Sequence, residues 1–374
     1  MGNNSISQET SKRITALRFL LIVFVVFIHN CFTLEGVAEN FEKTGELIVF
    51  KQTVLSKWIQ LFISQGIARC AVPLFFLFAA FLQAKKNDKY SVLLKKRAKS
   101  LLIPFVIWTV LYAFYYAGLK LFILKVAPQF IKNPENTALN WTGIDWVHKL
   151  LGYRQKADGT GFELPEFAYQ FWFIRDLIIL VILSPLLKAL IKKFPIGFFL
   201  LVSATFITPI RVYFVENQAL FFYVVGLYWG SCEAIDKNLF KIVDKMKYIE
   251  TIFLFVLSFV FDNIFFSGKL HWFVILLACV LLLKISALIV KNDTTYNVAK
   301  YLAGYSFFLF AIHTPVMNEM LRRIWLHFLP MTNGFLCLAE YFGVAFLNIA
   351  IGTTIGIVLK KLCPRLFAIL TGGR

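Results

Sequence analysis

The sequence predicts an all-α membrane protein, a polytopic helix bundle of about ten transmembrane helices with both termini cytoplasmic. Three observations carry this expectation. The 374 residues are 59% hydrophobic and 17% aromatic, with a mean hydropathy of +0.71, more apolar than a soluble surface allows. Several apolar runs reach the roughly 20 residues that a helix needs to cross about 30 Å of hydrocarbon. The net charge of +18 is concentrated in short loops between those runs, the pattern of a chain held with its basic side inward rather than of a nucleic-acid binder.

The expected spans lie near 14–34, 58–84, 101–125, 171–191, 196–210, 219–232, 249–266, 270–290, 299–317 and 333–359. The first follows MGNNSISQETSKR, is long for a signal-peptide core and has no small-residue cleavage pattern after it, which marks it as a permanent helix. Orientation follows from Lys and Arg. The segment 85–100 has seven basic residues and one acid, and Lys192, Lys193, Lys237 to Lys247, Lys360, Lys361 and Arg365 fall on the same side. That side is expected to be cytoplasmic. The longest loop, about 127–170, then faces outward with Trp141, Trp146, Tyr153 and the turn-like KADGTG at 156–161. It reads as a cap over a cavity or as an interfacial loop with aromatic anchors. The whole chain, 1–374, is expected to form one membrane domain. Its six cysteines show neither disulfide nor metal-ligand spacing, so no metal site is expected.

Polar residues inside the runs point to function, because hydrocarbon resists them. Arg18 and His29 share the first run. Eleven steps of 100° bring them within about 20° of one face, about 16 Å apart along the axis. Arg18 is either a snorkelling cation or a ligand for an anionic group at the inner mouth. His29 lies too deep to snorkel and is either a functional group or a neutral histidine hydrogen-bonded within the bundle. Arg69 sits mid-membrane four residues before Pro73, and His313 lies in the outer half of the ninth run; Arg175 and Asp176 open the fourth, either as functional residues or as structural partners of neighbouring helices. Convergence of His29, Arg69, Arg175, Asp176 and His313 around one cavity, with Arg18 below it, is the expectation. His148, His271 and His327 read as surface or interfacial residues, and Glu216, Glu319 and Glu340 are unranked.

Arg18 and His29 at this spacing resemble the hallmark of the acyltransferase-3 family of integral membrane acyltransferases. ARCAVPLFFLFAAFL (68–82) is similar to its arginine-bearing second helix, although Ala79-Ala80 stands where many members have Ser-Gly. FWFIRDL (171–177) resembles the Trp-Phe-x-x-Asp-Leu block of members that modify surface polysaccharides, and YSFFLFAIHTPV (305–316) the late helix ending in His-x-Pro. The resemblance implies an acyl-coenzyme A donor, with acetyl as the default group. The implied acceptor is a sugar hydroxyl on a polysaccharide or its lipid-linked precursor, and the implied place is the bacterial cytoplasmic membrane. Polysaccharide-assembly proteins are partners in this picture. It implies His29 as catalytic base, Arg69 in catalytic support or donor binding, Arg18 in donor binding, and Trp172, Arg175, Asp176 and His313 in acceptor or supporting roles. Two other classes fit the bare sequence: a proton-coupled transporter and a non-catalytic subunit of a polysaccharide assembly complex.

Overall fold

The computed structural model describes residues 6–31, 51–86, 88–126, 137–151, 154–155, 162–163, 166–210 and 212–373. The chain forms two compact units, residues 1–87 with 221–358 and residues 88–220 with 359–374. The fold is helical. Among the described residues the only ladder is a two-residue antiparallel pair, β1 (Arg154–Gln155) with β2 (Phe162–Glu163).

In the first unit, α1 (Gln8–Asn30) starts where Ser7 accepts the Thr10 N–H, a serine N-cap with Glu9 in the positive first turn. A capping box of Thr53 and Ser56 opens α2 (Val54–Ala84). This helix is not uniform: a π turn over Phe62–Gly66 and a 3-10 turn over Ile67–Cys70 interrupt it. Pro73 supplies the reason. It has no N–H for the carbonyl four residues back, and it is tolerated because regular α winding restarts at Ala71, placing it in a first turn. Arg69 therefore sits on an irregular turn, not on a straight helix.

The second unit holds α3 (Tyr90–Val126), the short α4 (Gly143–Leu151), α5 (Trp172–Lys193) and α6 (Pro195–Ile207). The basic segment expected as a loop at 85–100 is thus helical from Tyr90 onward. Thr142 and Asp145 cap α4 reciprocally, and the Thr142 hydroxyl and amide hold the Asp145 carboxyl below the usual carboxylate range. Of the expected outer loop, Trp141 packs on Trp146 at 5.0 Å and on Phe167 at 5.7 Å. Tyr153 and residues 156–161 lie outside the described residues.

Next come α7 (Asn217–Ser231), α8 (Glu233–Lys245), α9 (Tyr248–Phe265) and α10 (His271–Lys291). Gly226 and Gly230 let α7 lie directly on α2: a Cβ on Gly226 would stand 2.8 Å from that of Ala80. Between α9 and α10 the chain turns through Ser267 and Gly268, both at positive φ, and buried Asp262 accepts the Leu270 N–H at 2.8 Å. Buried Lys284 of α10 donates to the carbonyls of Val243, Asp244 and Met246, so it caps the end of α8.

The run expected as one span at 299–317 is broken. It takes in the end of α11 (Asp293–Ala303), α12 (Ser306–Ile312) and a turn over His313–Met317, and α13 (Asn318–Phe328) follows. Thr314 is extended, at φ −148° and ψ 158°, before Pro315, as the residue before a proline prefers. Helix α14 (Gly334–Leu362) is about 43 Å long, and Gly352 and Gly356 receive Leu309 and Phe308 of α12. A last short helix, α15 (Pro364–Thr371), meets α3 where the Trp108 indole donates to the Leu370 carbonyl.

Among the described residues, five helices, α2, α3, α9, α10 and α14, are long and apolar enough to cross a membrane. Their outer faces are apolar: Ile249 is 81% exposed, Phe253 63% and Phe335 79%. Water does not tolerate so continuous a greasy surface, whereas lipid requires it. The fold is that of a polytopic helical membrane protein.

Candidate active site

His29 is the next-to-last residue of α1, where helix geometry leaves the final carbonyls without partners. Buried in a bundle, those groups need donors. Ser64 of α2 donates to the Phe27 carbonyl at 2.7 Å, Asn318 of α13 to the His29 carbonyl at 3.0 Å, and Arg322 to that of Asn30 at 3.0 Å. The Asn30 side chain donates to the Tyr341 carbonyl of α14 at 2.7 Å, and Phe27 lies 5.4 Å from the Tyr341 ring. Three helices thus hold the end of α1 and fix the backbone that carries His29.

His313 comes to the same place from the broken segment. Its ring centre lies 5.2 Å from that of His29, with the rings tilted by 51°. The side chain is fully buried, and Nδ1 lies 2.8 Å from the Phe310 carbonyl oxygen. A carbonyl only accepts, so Nδ1 carries the proton and the neutral ring keeps its lone pair on Nε2. That Nε2 has no hydrogen-bond partner among the described residues. Asn348 of α14 donates to the His313 carbonyl at 2.8 Å and holds the broken turn in place.

Arg69 supplies positive charge within electrostatic range of His29. Its Nε donates to Gln65 one turn earlier at 2.7 Å. Its terminal nitrogens have no hydrogen-bond or ion-pair partner among the described residues, which leaves a fork for an anion. Arg18 is exposed and likewise without such a partner among the described residues. It shares a face with His29, but Ile22 and Val25 between them on that face are buried.

Arg175 and Asp176 belong to the second unit, where they bond each other. The Arg175 Nε donates to Asp176 Oδ1 at 2.9 Å, and the other carboxylate oxygen takes the Glu216 N–H at 2.8 Å. Trp172 is the half-buried first residue of α5. The structure therefore brings together His29, His313 and Arg69, and it gives Arg175 and Asp176 a local pairing of their own.

Sequence reasoning missed Ser64, Asn318, Arg322 and Asn348, and left Glu340 unranked. Glu340 is fully buried and receives the Arg322 Nε at 2.9 Å. The signal was present: an amide or a charge inside an apolar run demands a partner. His271, expected at the surface or interface, is the half-buried first residue of α10, with its Nδ1 3.4 Å from Asp262.

Half-buried His29, buried His313 and Arg69 thus stand together inside an apolar helix bundle. Residues 11–359 match the acyltransferase-3 family, described as an acyltransferase domain. The chain belongs to that family and is a membrane acyltransferase. It is similar to the succinoglycan biosynthesis protein ExoH of Rhizobium meliloti (strain 1021), with 25% identity over 388 residues that cover 98% of this chain and 93% of that protein. No solved structure matches it.

Proposed function

We propose that this enzyme moves an acyl group, acetyl by default, from acyl-coenzyme A to a sugar hydroxyl of a cell-surface polysaccharide or its lipid-linked precursor. The donor is cytosolic, so the membrane is the bacterial cytoplasmic membrane with the basic loops inward. Polysaccharide-assembly proteins are the natural partners, since the acceptor has to be delivered. The relative's role in succinoglycan biosynthesis supports a glycan acceptor.

The observation that carries the reading is His29 on a helix end held by Asn318, within electrostatic range of Arg69, whose terminal nitrogens have no partner among the described residues. A sugar hydroxyl is a weak nucleophile at neutral pH. An imidazole with an ordinary pKa of about 6.5 can take its proton as the oxygen attacks the thioester carbonyl. Negative charge then develops on the carbonyl oxygen, and a guanidinium with free N–H groups stabilises it. Arg18 at the inner end suits the phosphates of coenzyme A. Trp172, Arg175 and Asp176 are assigned to the support of the acceptor.

The test is mass spectrometry of surface glycans from cells that lack the gene, complemented with wild type, His29→Ala or His29→Gln at matched membrane abundance. Wild type should restore a mass increment that identifies the acyl group. Both variants should lose about 10²–10⁴-fold or more of the activity, the contribution of a positioned general base. Near-normal acylation by either variant would remove His29 from that role.

A further inference from the structure

Resting on that assignment of His29, we propose that His313 is its proton-relay partner, so that the two imidazoles act as one base. Three observations carry this. The Nδ1 proton of His313 is committed to the Phe310 carbonyl, which fixes the tautomer with Nε2 bare. That bare nitrogen is buried and has no partner among the described residues. A buried acceptor left unmade is costly and demands an explanation. The third is spacing. An N–H···N bond of about 2.9 Å, with about 1.2 Å from each nitrogen to its ring centre, needs ring centres about 5.3 Å apart. The two centres are 5.2 Å apart. The separation of the two rings is thus the one that a direct N–H···N bond between them requires.

Both backbones are held, by Asn318 on the His29 carbonyl and by Asn348 on that of His313. His313 itself stands at the start of the broken turn, directly before extended Thr314. The proton balance closes within the pair. The acceptor O–H bond breaks as its oxygen bonds to the thioester carbon, and His29 takes the proton. That proton passes to Nε2 of His313, spreading the charge over two rings while Arg69 faces the oxyanion. The C–S bond then breaks, the departing thiolate takes the proton back from the pair, and both rings end neutral. No further reactant is required.

The experiment uses the complemented cells described above, with acyl groups per glycan repeat as the readout and membrane abundance matched. His313→Gln should lose about 10²-fold or more. His313→Ala should lose a similar amount and regain part of it with added imidazole but not with pyrazole, which has the same shape and is a far weaker base. Rescue by both heterocycles, or by neither, would make His313 a packing residue and overturn the inference. So would near-normal acylation by His313→Gln. If His313→Gln is active while His29→Gln is dead, the relay alone falls; if both are active, the assignment of His29 falls with it.

Discussion

Lys284, Arg322 and Arg69 show how differently a cation is treated inside an apolar bundle. The ammonium of Lys284 meets three carbonyls and the ring of Tyr248, whose centre lies 4.2 Å away. Arg322 is committed to Glu340 and to both oxygens of Asn30. Arg69 has one bond among the described residues, to Gln65. The first two are anchors, and the third has unused donors. Arg322→Ala should therefore destabilise the fold by about 3–5 kcal/mol, because Glu340 is left buried and unpaired. Arg322→Met with Glu340→Leu should recover part of that loss, and thermal melting of the purified variants completes the cycle. Arg69→Ala should melt near wild type and abolish acylation. For Arg18, Arg18→Ala should raise the apparent donor KM and Arg18→Lys should recover some of it, since charge remains while the fork is lost. Unchanged donor kinetics in both would leave Arg18 a snorkelling residue. Depth alone singled out Arg69 and His29 in the sequence. It left Arg322 and Asn348 unranked, because their importance lies in partners some 292 and 35 positions away.

At the scale of elements, prolines and glycines decide where the polar side chains can stand. Pro73 makes α2 wind irregularly through Arg69, and Pro315 ends α12 at His313. The reading of 299–317 as one continuous span failed because hydropathy registers apolar length and is blind to a backbone break at Thr314. The reading of 249–266 and 270–290 as two spans matched α9 and α10 closely, since both are densely apolar and Gly268 marks the turn between them. Close approach is the other device. Gly226 faces the Leu77 carbonyl and Ala80, and Gly230 faces Ala84 and Phe81. Gly226→Leu should force α7 off α2 and cost about 1–3 kcal/mol or more, as overpacking does. Its expected sign is a lower melting temperature and earlier proteolysis. Gly118 has open space where a Cβ would stand, with no atom within 4 Å, and should accept the same change without loss.

For the molecule as a whole, hydropathy was legible and the exact number of crossings was not. Among the described residues, five helices meet the length and apolarity needed to cross. Others carry polar groups or stop short: α5 contains Arg175 and Asp176, and α12 stops at His313. Short elements such as α6, with 13 residues, reach only about 20 Å. Orientation is therefore best tested chemically. The proposed topology places α4 outside and the chain end after α14 inside. Ile144 of α4 is 64% exposed, and Cys363 is an exposed native thiol before α15. An impermeant maleimide applied to intact cells should label Ile144→Cys in a background with the native cysteines replaced by serine. The same reagent should leave a protein with Cys363 as its sole thiol unlabelled until the membrane is permeabilised. Labelling of Cys363 in intact cells would invert the orientation and put the donor phosphates on the wrong side for Arg18.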